Sequence, residues 1–123
     1  MKILIVEDEV VLSKVLKEKF KKEKFETRIV DNGNDVLKAA ASFKPDMILL
    51  DLLLPGKHGL TVLKELKADA DLNVIPVIIL SNMDSDEDIK KGLKLGAVDY
   101  FVKAQHPIKE VVAKVAESLA KVK

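Results

Sequence analysis

The sequence predicts one α/β domain, doubly wound, in which a five-stranded parallel sheet carries helices on both faces. Three observations carry that prediction. Short aliphatic or β-branched runs alternate five times with longer segments of helical period, the pattern of strands joined by crossover helices. Most of the runs are nearly unbroken apolar stretches, as strands covered on both sides require. At 123 residues and 48% apolar content, the chain has the size and the material for one core without staples.

The run Ile3-Leu4-Ile5-Val6 forms strand one, and the acids Glu7, Asp8 and Glu9 stop it. A helix follows over 10–22, with Leu12, Val15, Leu16 and Phe20 on one face. Strand two, over 26–30, ends at Asp31-Asn32-Gly33, ordinary capping and turn chemistry ahead of a helix through Val36, Leu37 and Ala40. Pro45 closes that pattern, because proline cannot continue a helix and biases the residue before it away from one. Strand three is Met47-Ile48-Leu49-Leu50, and Leu60, Leu63 and Leu66 mark helix three. Strand four is expected over 75–80, with Pro76 near its start, where a missing donor is tolerated. The cluster Asp84-Ser85-Asp86-Glu87 favours the start of helix four, and Gly96 supplies its stop. Strand five is expected over 98–102. The last helix begins at Pro107 and carries Ile108, Val111, Val112, Val115 and Leu119 on one stripe.

Composition narrows the function. The chain has 21 basic and 20 acidic side chains, a formal net charge of +1, and a single arginine, Arg28. That balance argues against direct nucleic-acid binding, and the lysines are interspersed with acids as on solvated helix faces. With no cysteine, disulfides, thiolate catalysis and Cys-based zinc sites are excluded. The opening apolar run is far too short to span a membrane and has no cleavage region, so a cytoplasmic chain without membrane insertion is expected. The expected organisation is one domain over 1–123 with no output domain.

Chemistry collects where a parallel sheet binds ligands, at the carboxyl ends of its strands. Strand one ends in Glu7-Asp8, strand three in Asp51, strand four in Ser81 and strand five in Lys103. Asp51 stands out, a carboxylate between two blocks of large aliphatics and just ahead of the turn-forming Pro55-Gly56. Crowded carboxylates repel, and a hard, oxygen-preferring cation relieves this. Magnesium fits best, since it takes one or two protein carboxylates and leaves room for phosphate oxygens. An aspartate beside such a cation can attack phosphorus, with Lys103 and the Ser81 hydroxyl holding phosphoryl oxygens. Taken singly each residue is more often structural than functional. Their joint placement at successive strand ends points to phosphoryl transfer.

These stretches resemble the receiver domain of two-component response regulators over essentially the whole chain. The matching segments are Ile3 to Glu9, Pro45 to Gly56 with Gly59-Leu60, Pro76 to Ser81, and Gly96 to Lys103. The resemblance implies a flavodoxin-like sheet of strand order 2-1-3-4-5. It implies that Asp51 is the phosphoacceptor, that Asp8 and Asp51 ligate magnesium with the Leu53 main-chain carbonyl, and that Glu7 assists. Ser81 and Lys103 would bind the phosphoryl group. The implied donor is a histidine kinase or phosphotransfer protein, and Ser81 and Tyr100 are the implied switch. That switch remodels the face of helix four, strand five and helix five toward a downstream protein. Such a domain assists only its own phosphorylation and dephosphorylation and is otherwise no enzyme.

Two departures from the family pattern matter. Glu7 stands where aspartate is often first in the acid pair, and Ala104 stands where proline commonly follows the lysine after a cis bond. A cis bond before a non-proline residue costs roughly 2.5–4 kcal/mol, so a trans or reshaped loop is expected after Lys103. His58 and His106 lack metal-ligand spacing and read as solvated loop residues. One alternative is a receiver-fold binding module that acts without phosphorylation. Another is a haloacid-dehalogenase-like phosphatase, but its second aspartate would fall at Leu53. No glycine-rich loop follows strand one, as a nucleotide-binding domain would need.

Overall fold

The computed structural model describes residues 1–122. Its strands are β1 (Lys2–Val6), β2 (Glu26–Val30), β3 (Met47–Leu50), β4 (Val77–Ser81) and β5 (Asp99–Val102). Its helices are α1 (Val10–Lys22), α2 (Val36–Phe43), α3 (Gly59–Ala68), α4 (Asp86–Lys94) and α5 (Ile108–Val122), with a single 3-10 turn at Gly33–Asp35 ahead of α2. All strands are parallel in the order β2-β1-β3-β4-β5, the order expected. The chain therefore leaves β1 in one direction and later returns to its other side. The crevice where strand order reverses lies between the carboxyl ends of β1 and β3.

Period-two alternation divides the core into two layers. Leu4, Val6, Ile48, Leu50, Val77, Ile79, Tyr100 and Val102 pack against residues of α2, α3 and α4, including Val36, Ala40, Val62 and Leu63. Ile3, Ile5, Met47, Leu49, Ile78, Leu80 and Phe101 pack against Leu16, Phe20, Val111, Val115 and Leu119 of α1 and α5. Helices thus cover both faces, and every residue of β3 and β4 is buried.

Element boundaries moved by one or two residues. β4 begins at Val77, not at 75, because Pro76 has no N–H to enter the ladder; its carbonyl still accepts from the Ile48 N–H at 3.0 Å. Val98 donates to the Val77 carbonyl but precedes β5, and Pro107 precedes α5 and accepts from the Val111 N–H. Helix four starts as expected: the Ser85 side chain accepts from the Asp88 N–H at 3.0 Å, and three acids occupy the first turn. Its stop is Gly96, with φ +114°.

Candidate functional site

Strand register brings the strand-end residues together. Val6 pairs with Leu50 and Ser81 with Val102, so Glu7 and Asp51 leave neighbouring strands side by side, as do Ser81 and Lys103. Main-chain bonds continue the ladder one step past the strands, from Asp51 N–H to the Val6 carbonyl (3.0 Å) and from Lys103 N–H to the Ser81 carbonyl (2.9 Å). The backbone thus aims these side chains at one point.

Asp51 is 5% exposed. Its Oδ1 accepts from the N–H groups of Leu52 (2.7 Å) and Leu53 (3.4 Å), and its Oδ2 accepts from Lys103 Nζ (3.0 Å). The same ammonium lies 2.8 Å from Glu7 Oε1 and 3.6 Å from Glu9 Oε1. Glu7 is 2% exposed, and its Oε2 accepts from the Glu9 N–H. Ser81 is wholly buried, and its Oγ accepts from the Met83 N–H at 3.3 Å. The Tyr100 hydroxyl donates to the Met83 carbonyl, so that one residue is held from both sides. Leu53 lies beside Asp51 on the loop after β3, with its side chain exposed.

Electrostatics follow from this crowding. Burial, offset in part by Lys103 and the Glu9 N–H and reinforced by the Asp51 charge, pushes Glu7 up from 4.5 to about 7. Burial pulls the Lys103 ammonium down, but its hydrogen bonds to Glu7 and Asp51 outweigh that and hold it above the usual lysine range. Burial also raises the Tyr100 hydroxyl, as does the charge of Asp88. Lys103 is the internal counter-ion of two buried acids.

The donor set also fits a hard cation. One carboxylate oxygen from each of Glu7, Asp8 and Asp51 lies within 4.8 Å of the others, and Asp8 is exposed, so the cluster opens to water. Such all-oxygen donors suit magnesium. A pH dependence follows for the metal-free protein. Folded Glu7 keeps its proton up to about pH 7, whereas the unfolded chain loses it near 4.5. Glu7 therefore contributes stability that is fully present below pH 4.5 and is lost as pH rises toward 7. Urea unfolding in chelator should show this decline, and Glu7→Gln or added magnesium should flatten it. A rise in stability across that window would contradict the assignment.

Several contacts escaped sequence reasoning. Glu9 precedes α1 without capping it, which leaves its carboxylate free to face Lys103. His58 is an exposed loop residue, as expected, and it has a further role: its Nδ1 accepts from the Leu60 N–H at 3.1 Å and caps α3. His106 pairs with Glu110 and stands edge-on to Phe101. The Lys103–Ala104 peptide is trans, as expected. Gly59 opens α3 so close to the site that a Cβ there would lie 2.4 Å from the Asp51 carbonyl oxygen and 2.5 Å from Leu52 Cα. Both are backbone atoms and cannot step aside. Gly59→Ala should destabilise the domain by about 1–3 kcal/mol through overpacking and shift the Asp51 and Leu52 amide resonances. Unchanged resonances would mean the α3–β3 contact is slack.

Comparison with known proteins gives a consistent picture. The family model of the response regulator receiver domain matches residues 3–116. The DNA-binding response regulator MtrA of Mycolicibacterium paratuberculosis (strain ATCC BAA-968 / K-10) is 36% identical over 118 residues, covering 96% of this chain and 51% of that protein. The Francisella response regulator 1452 receiver domain superposes with a TM-score of 0.90 at 31% identity, covering 99% of this chain and 98% of that one. The BeF3-activated N-terminal receiver domain of Klebsiella pneumoniae RstA gives 0.88 at 29% identity, covering 97% and 98%. This chain spans about half the length of the curated relatives it matches. One expectation is corrected here. Charge balance argues against direct nucleic-acid binding, yet these relatives are named DNA-binding. Net charge reports only on the residues counted, and half of each relative lies outside them, so the exclusion does not stand. No described helix is long and apolar enough to cross a membrane.

Proposed function

Since this chain belongs to the response regulator receiver family of two-component signalling, we propose that Asp51 accepts a phosphoryl group from a histidine kinase or phosphotransfer protein. The observation that carries this reading is the division of labour on the Asp51 carboxylate. Two main-chain N–H groups hold Oδ1, which turns Oδ2 toward Lys103 and the acid cluster. Oδ2 forms the new bond to phosphorus while the bond to the donor's imidazole nitrogen breaks, and that nitrogen takes up a proton. Lys103 transfers its hydrogen bond from Asp51 to a phosphoryl oxygen, and the Ser81 hydroxyl donates to another. Asp8, Asp51 and the Leu53 main-chain carbonyl would hold magnesium, with Glu7 assisting, and the bound ion would neutralise charge on the incoming group.

The signal leaves through Met83. Ser81 Oγ accepts from the Met83 N–H and keeps its own proton to donate to a phosphoryl oxygen, so a shift of the hydroxyl toward the phosphoryl group pulls on Met83, whose carbonyl Tyr100 grips. The loop entering α4 is therefore tied to both the site and β5, and its rearrangement alters the α4–β5–α5 face presented to a downstream protein. The domain works in the cytoplasm, where its kinase is charged, and turns over no other substrate.

The test is direct. The chain is incubated with magnesium and a small phosphodonor, then weighed intact and mapped by peptide. One phosphoryl mass on Asp51 supports the proposal. No gain favours a module that signals without phosphorylation, and sustained phosphate release from many substrates favours a phosphatase.

A further inference from the structure

Gly92 lies in the last turn of α4, and inside a helix glycine is less favourable than alanine by roughly 1 kcal/mol. It is buried. Beneath it the paired residues Ile79 and Tyr100 point to the same face of the sheet. A Cβ at Gly92 would lie 2.7 Å from Ile79 Cδ1 and 3.2 and 3.3 Å from Tyr100 Cδ2 and Cε2. Ile79 is fully buried, so it has little space to retreat into, and the tyrosine ring is tethered through its hydroxyl to Met83. The absence of a side chain at position 92 thus spares the ring a contact that would force it to give by a few tenths of an ångström where the helix closes over β5.

We propose that Gly92 is a positioning residue for the switch: by leaving empty the space between α4 and β5, it admits the Tyr100 ring to its inward position. The inference rests on the reading of Ser81 and Tyr100 as the switch, and it adds a residue that touches neither the phosphoryl group nor the metal cluster. A methyl group at position 92 presses on the ring when it lies inside and is relieved of that contact when it lies outside. The gain in helix propensity from alanine is the same in both states, so the steric contact alone sets the bias, toward the outward ring.

The composition supplies the probe. Tyr100 is the only tyrosine and there is no tryptophan, so intrinsic ultraviolet emission reports that ring alone. In Gly92→Ala, acrylamide quenching of the emission should rise severalfold over the parent while phosphoryl uptake on Asp51 is retained. Beryllofluoride with magnesium should slow amide exchange in α4 of the parent and leave the variant unchanged. If the single variant fails to fold, Gly92→Ala with Ile79→Val, compared with Ile79→Val alone, removes the clash with Ile79 Cδ1 and keeps the pressure on the ring. Quenching equal to that of the reference chain in a folded variant overturns the proposal. If the parent itself gains no phosphoryl mass, the reading of Asp51 fails and the coupling with it, while the quenching comparison still decides where the ring lies.

Discussion

Asp51→Asn is expected to reduce phosphoryl uptake to background while leaving the domain folded. The amide is nearly isosteric, and its oxygen can keep both main-chain bonds from Leu52 and Leu53, which fixes its orientation. Its NH2 group then faces the Lys103 ammonium, two donors with no acceptor between them, so Lys103 withdraws to Glu7 and Glu9. The nucleophile is gone and one carboxylate has left the cation cluster. Intact-mass measurement with magnesium and phosphodonor should show no gain, and magnesium titration followed by thermal unfolding should show weaker stabilisation than in the parent. Full phosphoryl uptake by the variant would move the acceptor elsewhere and sink the assignment.

Lys103→Met carries the second large effect, and it acts on stability as well as rate. Methionine keeps much of the length and removes the charge, leaving Glu7 and Asp51 buried beside each other without a counter-ion. Deleting one partner of a buried pair costs about 3–5 kcal/mol. The lower end applies here, because Lys103 is 12% exposed and Glu7 can escape part of the penalty by keeping its proton. In chelator the variant should therefore unfold at markedly lower urea, and magnesium should recover much of the loss by replacing the missing positive charge. Phosphorylation should slow by about 10²–10³, the usual cost of removing one preorganised donor from developing charge. A variant as stable as the parent without metal would show that the two acids do not depend on Lys103.

Much of this was legible along the chain because secondary structure is written in local periods. Apolar runs located all five strands and 3.6-residue apolar spacing four of the helices, while helix four was marked by its capping acids and the Gly96 stop. The strand-end rule then selected Glu7, Asp8, Asp51, Ser81 and Lys103 before any contact was known. Boundaries slipped only where a single bond decided them, as at Pro76, whose missing N–H delays β4 to Val77.

Sequence by itself determined which residue types stand at each strand end, and hence the chemistry available to the site: carboxylates, a hydroxyl and an amine. Only the tertiary structure decided how they meet. Lys103 and Asp51 are 52 positions apart and touch because β1, β3, β4 and β5 lie in one register. The contacts of Glu9 with Lys103, Gly59 with the Asp51 backbone and Gly92 with the Tyr100 ring have no local signature. The reason is physical. Periodicity records which face of its own element a residue occupies, whereas reach, clearance and burial depend on how separate elements pack, and that is settled only when the whole core closes.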